Sequence, residues 1–171
     1  MKILFIFLLT VFTNIQLHAQ KKIPKQILTF EHFKLKRAKD AKFDALLSYD
    51  IKYNYTYVIR SNKISLDFTV NAEIYPEKSY FQFSNPAQDS VLLNHEQGHA
   101  DILVLNARTL LRTLQNTEFT PSNYKIKIES LNKDAWTLTM IEQDLYDAET
   151  SHGEDKVAQE RWNKKFEAIS Q

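Results

Sequence analysis

The feature that most limits how this chain can fold is a change of hydrophobic period at Asn85-Pro86. Before it, Ile51, Tyr53, Tyr55, Tyr57 and Ile59 alternate with mostly polar residues, and Ile64, Leu66, Phe68, Val70, Ala72 and Ile74 alternate again. A period of two puts successive side chains on opposite faces, so each run predicts a strand with one buried face. Arg60-Ser61-Asn62-Lys63 between them predicts the turn of an antiparallel hairpin, and Lys78 to Ser84 is expected to add a short third strand. Beyond the break the period becomes helical. Asn85 suits an N-cap and Pro86 the first helical position, where a missing N–H costs nothing; the helix is expected to run to about Gln115. Thr120-Pro121 repeats the start signal, and Tyr124, Ile128, Leu131, Ala135, Leu138 and Leu145 recur at helical spacings, which predicts a second long helix ending near Thr150. Gly153 interrupts the chain, and Val157, Arg161, Trp162 and Phe166 mark a final helix over Asp155 to Ile169. Strands followed by helices, with no alternation of the two, predict an α+β domain. A small antiparallel sheet lies beside two long helices and a shorter C-terminal one.

Residues 1–19 are set apart from this pattern. Lys2, an apolar run from Ile3 to Phe12 and a polar stretch ending at Leu17-His18-Ala19 predict a secretory signal peptide, with the mature chain starting near Gln20. The run is too short for a permanent membrane span. A periplasmic or secreted location follows as an expectation, and residues 20–171 suffice for one domain with a proper core. Lys and Arg total 22 against 21 Asp and Glu, so there is no basic footprint for nucleic acid. The chain has no cysteine. It therefore carries no disulfide and no lipid-acceptor thiol, and any metal site must use His and carboxylate donors.

Such donors occur in His95-Glu96-Gln97-Gly98-His99, on the first predicted long helix. Positions i and i+4 lie one above the other on a helix, so His95 and His99 can offer ring nitrogens to one Zn2+. Glu96 is offset by about 100° around the axis, too far to ligate easily and near enough to hold a water molecule. That is the arrangement of a metalloprotease, in which zinc lowers the pKa of the water and the glutamate takes its proton as general base. Leu92, Ile102, Leu103 and Leu110 share the histidines' side of the helical wheel, so the pair is expected to face inward. Only two glycines exist in the chain, Gly98 within the motif and Gly153 after His152. Gly98 costs about 1 kcal/mol in a helix interior relative to alanine, which predicts either close packing there or clearance for a substrate.

Catalytic zinc sites normally take three protein ligands. His152 is the natural third candidate, although a helical hairpin turning near residue 118 would carry it about 20 Å past the level of His95 and His99. Glu142 lies closest to that level, on the core-facing stripe with Glu149, so a glutamate ligand competes with His152.

The chain resembles the bacterial exported zinc-dependent proteases grouped as domain-of-unknown-function family 922. The likeness lies in His95-Glu96-Gln97-Gly98-His99 followed by an acidic residue and a leucine-rich helix. It extends through Tyr146-Asp147, Thr150, His152-Gly153, Gln159 and Trp162, and through Leu28 to Phe33, with Phe30 where tryptophan is expected. The resemblance implies a zincin-like hydrolase acting on a peptide or protein substrate, with His95, His99 and His152 on the zinc and Glu96 as base. It favours His152 over Glu142. Tyr146 is expected either to donate to the oxyanion of a tetrahedral intermediate or to pack. Two further readings compete: a non-catalytic envelope protein with a structural zinc or histidine pair, and a binding module presenting Tyr49, Tyr53, Tyr55 and Tyr57 as an aromatic surface.

Overall fold

The predicted hairpin forms from β2 (Tyr49–Arg60) and β3 (Lys63–Ile74), paired antiparallel from Tyr49↔Ile74 to Arg60↔Lys63. The computed structural model describes residues 23–170, so the expected signal peptide at 1–19 lies outside the described residues. Ser61 and Asn62 make the two-residue connection, with φ of 47° and 60°. Positive φ at both positions is what a type I′ turn requires, and its twist matches that of the strands it joins.

One face of the hairpin carries Ile51, Phe68, Val70 and Ala72 into the core, with Tyr49, Tyr53 and Tyr55 packed against them. Tyr57 is 50% exposed but leans on Tyr124 at a ring separation of 5.2 Å. Tyr49, Tyr53 and Tyr55 therefore serve the core, and Tyr57 is the one ring of the four that stays exposed.

The expected third strand is corrected. β4 is only Tyr80–Phe81 and pairs with β1 (Ala45–Leu46) in a separate two-stranded sheet, Ala45↔Phe81 and Leu46↔Tyr80. The chain leaves the hairpin edge through a single 3-10 turn at Pro76–Lys78. Buried Ser79 then fixes the new direction: its Oγ accepts from the Ser48 N–H at 2.9 Å and donates to the Tyr75 carbonyl at 2.9 Å.

α1 (Pro86–Asn116) starts where expected, the Asn85 side chain accepting from the Gln88 N–H at 3.2 Å. Its Leu103, Val104, Ala107, Leu110, Leu111 and Leu114 bury against the hairpin. α2 (Tyr124–Thr150) runs back along α1, and α3 (Lys156–Ser170) adds Trp162 and Phe166 to Ile102 and Tyr146 in a second cluster. The architecture of the described residues is α+β: two small antiparallel sheets and three α-helices. Among the described residues no helix is long and apolar enough to cross a membrane.

Leu103 has no exposed surface and lies at the centre of the larger cluster. Leu103→Ala should lower the unfolding free energy in urea by about 2–5 kcal/mol, the cost of lost burial plus a cavity. Ile59→Ser at the exposed hairpin tip should change it by less than about 0.5 kcal/mol.

Candidate metal centre

His95 and Glu96 are buried in the middle of α1, and His99 is nearly so. Behind each imidazole stands a glutamine. Gln143 of α2 donates its Nε2–H to the His99 carbonyl at 3.0 Å, which leaves its Oε1 for His99 Nδ1. Gln159 of α3 has its Oε1 3.2 Å from His95 Nδ1, while its Nε2 donates to the Tyr146 hydroxyl at 2.7 Å. A backbone carbonyl can only accept, and Tyr146 already donates its own proton to the His95 carbonyl at 2.9 Å. Both amides are thus oriented with oxygen toward the ring, so each Nδ1 carries a proton and each Nε2 faces the cluster as a candidate donor.

The two Nε2 atoms converge on one oxygen. Asp147 Oδ1 lies 3.0 Å from His95 Nε2, 3.1 Å from His99 Nε2 and 3.4 Å from His152 Nδ1. The donor atoms of His95, Asp147 and His152 all fall within 4.8 Å of one another, and this group could hold a metal ion. The chemistry of the set supports that fit: imidazole lone pairs and an anionic oxygen facing one another repel unless a cation or protons lie between them. In the protein alone, protons supply the charge. Burial opposes the charged form of His99, but the hydrogen bond to Asp147 and the negative charges of Glu96 and Asp147 outweigh it and raise its pKa. Burial likewise opposes ionisation of Asp147, yet the hydrogen bonds from His95 and His99 hold its carboxyl well below the usual range. Burial raises the pKa of Glu96, with His99 and His95 and a backbone hydrogen bond from Leu47 pulling against it.

His152 reaches the group because the chain curls sharply after α2. Ser151, His152 and Gly153 are all left-handed, with φ of 48°, 53° and 88°. The His152 N–H donates to the Asp147 carbonyl at 3.0 Å, and those of Gly153 and Asp155 donate to the Thr150 carbonyl at 3.0 and 2.9 Å. Phe43 lies against the His152 ring, centroids 4.9 Å apart. The feared overshoot does not arise. α2 starts only at Tyr124, so Gln143 stands level with His99 and Tyr146-Asp147 with His95, and the curl brings His152 back.

That register also corrects the glutamate alternatives. Glu142 accepts from Asn106 Nδ2 at 2.7 Å and Glu149 from Trp162 Nε1 at 2.8 Å, each facing away from the histidines. Tyr146 is corrected as an oxyanion donor: it is 0% exposed, and its hydroxyl is committed to His95 and Gln159. It stacks on the His95 ring at 4.7 Å and 13° instead. Asp101, the acidic residue that follows the motif, pairs with Lys25 at 3.0 Å.

Both glycines are explained by the same packing. A Cβ on Gly98 would lie 2.2 Å from the Tyr146 hydroxyl, so close packing is the reason for this glycine. One on Gly153 would lie 2.9 Å from His95 Cβ, at a φ that already favours glycine. Asp147, Gln143 and Gln159 are the residues the sequence reading did not assign. Asp147 and Gln159 stood in the family-like motif without a role, and the signal for Gln143 was a polar stripe on α2, Thr139, Gln143, Tyr146 and Thr150, which is the buried one. Leu138 and Leu145, assigned inward from apolar spacing, are 54% and 47% exposed.

A cleft of about 1070 Å³ opens over the group, with Phe43, Leu46, Tyr49, Val91 and Met140 among its walls and Glu96 facing it. The chain matches no family model, no curated protein and no solved structure.

Gly98→Ala should destabilise the protein by about 1–3 kcal/mol through overpacking against Tyr146, although alanine is the better helix former. Thermal unfolding of the purified variant checks this, and an unchanged or raised midpoint contradicts the packing account.

Proposed function

We propose that this protein is a zinc-dependent hydrolase of peptide or other amide bonds. The observation that carries the reading is that His95 Nε2, His99 Nε2 and His152 Nδ1 each lie within 3.4 Å of Asp147 Oδ1, with His95, Asp147 and His152 close enough to share an ion and Glu96 next to His95 on the same cleft-lining helix. Nitrogen donors with a nearby carboxylate, and no thiolate, suit zinc. His95, His99 and His152 would hold it, and zinc bound there would supply Lewis acidity and lower the pKa of a water molecule.

The remaining work falls to the chain's own residues. Gln143 and Gln159 hold the two imidazoles in the ligating tautomer. Glu96, with its carboxyl pKa raised by burial, is suited to take a proton from the attacking water and deliver it to the leaving amine. Phe43, Leu46, Val91 and Met140 give the cleft an apolar wall for substrate side chains. The resemblance to the exported zinc-dependent protease family, and with it a zincin-like origin and a periplasmic or secreted location, belongs to the same proposal.

One observation favours a second reading. Asp147 supplies a possible fourth donor, and a permanently closed four-donor shell is the mark of a structural site.

Metal analysis and peptide-library cleavage by the purified protein separate these. Glu96→Gln should retain zinc and lose about 100-fold or more of the cleavage rate. His152→Ala should weaken zinc binding by about tenfold or more. Full activity in the first variant removes the base assignment, and undiminished zinc affinity in the second removes the ligand assignment.

A further inference from the structure

The histidine cluster has one donor more than a hydrolytic centre can use. We propose that Asp147 is an exchangeable ligand: its carboxylate closes the metal-facing side of His95, His99 and His152, and gives up that position to an incoming water or substrate group. This rests on the reading of the cluster as a metal centre.

The side on which Asp147 stands is decisive. Gln143 and Gln159 occupy Nδ1 of His99 and His95, behind the rings. Asp147 Oδ1 is on the opposite side, at 3.0 and 3.1 Å from the two Nε2 atoms. It is therefore placed as a ligand and not as a support behind one. An ion drawn between those nitrogens and His152 Nδ1 necessarily meets this oxygen too, since it lies 3.4 Å from the latter. Four protein donors fill a tetrahedral shell, whereas hydrolysis needs one position free.

Two of the four donors face solvent, Asp147 and the 52%-exposed His152, and Asp147 is the one whose side chain has no packing contact of the kind Phe43 makes with the His152 ring. His95 is pinned by Gln159 and stacked on Tyr146, and His99 is pinned by Gln143. His152 sits on a curl closed by its own N–H to the Asp147 carbonyl, with Phe43 against its ring. The Asp147 side chain is 30% exposed and lines the cleft, so rotation about its side-chain bonds alone can carry the carboxylate toward solvent. Charge gives a reason for the closed state: Glu96 and Asp147 together balance a divalent ion among neutral imidazoles, and release of Asp147 leaves that ion more electrophilic.

Cobalt(II) loaded into the purified full chain, with azide as a monodentate probe, tests this by visible absorption. The wild type should take up cobalt, and azide should change its spectrum. In Asp147→Ala and the isosteric Asp147→Asn, the azide midpoint should fall by about tenfold or more, as expected if the carboxylate holds the position nine-tenths of the time. Cobalt binding should also weaken in Asp147→Ala. Circular dichroism establishes that each variant is folded. A wild type that binds no cobalt overturns the metal reading and the proposal together. Cobalt uptake with equal azide midpoints in wild type and variants overturns the proposal alone. A cobalt-loaded wild type indifferent to azide at any concentration does the same without recourse to a variant, since Asp147 would then be a permanent ligand.

Discussion

The contact between the Tyr146 ring and Gly98 sets how closely α2 can approach α1, and the rest of the site follows from that distance. With the ring over a residue that has no side chain, the tyrosine hydroxyl reaches the His95 carbonyl and its face stacks on the His95 imidazole. The next residue, Asp147, is thereby carried onto the Nε2 side of both histidines, and Gln143, one turn earlier, onto the Nδ1 side of His99. The inward stripe of α2 is polar at this level because α1 offers it imidazoles and carbonyls, and an apolar stripe would leave those buried groups without partners. The displaced leucines, Leu138 and Leu145, are left in solvent as the consequence.

The electrostatics of the cluster divide into a neutral back and a charged front. Amide oxygens behind the rings fix the orientation of each imidazole without themselves adding charge. In front, Asp147 and the buried Glu96 add negative charge that the folded protein compensates by holding protons on histidine. Buried like charges without compensation would cost several kcal/mol, so this half of the molecule is arranged to accept positive charge. Helix packing by itself has no need of such a concentration. A core in which Tyr146, Trp162, Phe166 and Ile102 already cluster could have closed over apolar residues at these positions.

Much of this was legible in the sequence, and the illegible part has a physical cause. The hairpin and its turn follow from local alternation and from two residues placed at positive φ, and α1 begins at its cap and proline as expected. Local rules suffice there because each element's own pattern selects its buried face. They fail at α2, where tertiary context reverses the pattern: the apolar residues of its second half lie outward and the polar ones inward. The candidate ligands His95 and His99 were readable from spacing and His152 from the scarcity of histidine together with the family resemblance, whereas the placement of Gln143, Asp147 and Gln159 depended on the register of α2 and α3 against α1. No single-helix periodicity encodes that register. The short strand at Tyr80–Phe81 was misassigned for the same reason, its partner lying across the hairpin in Ala45–Leu46.

The end of α2 shows what this arrangement requires of the backbone. Ser151 and His152 adopt a left-handed conformation that costs non-glycine residues about 1–2 kcal/mol each. A helix that merely needed to stop could have done so with a single glycine at its end. Three consecutive left-handed residues instead fold the chain back within four positions, and Asp155 then caps α3 by accepting the N–H groups of Val157 and Ala158 at 3.0 Å. The curl thus does two things at once. It turns His152 onto the cluster, and it starts α3 in the phase that lays Gln159 against His95 and Tyr146. Strain of this kind persists only where neighbouring contacts over-determine it, and here those contacts belong to the cluster itself. The backbone conformation and the donor geometry are therefore one constraint, and a change that relaxed the curl would displace His152 from the cluster and the Gln159 support from His95 together.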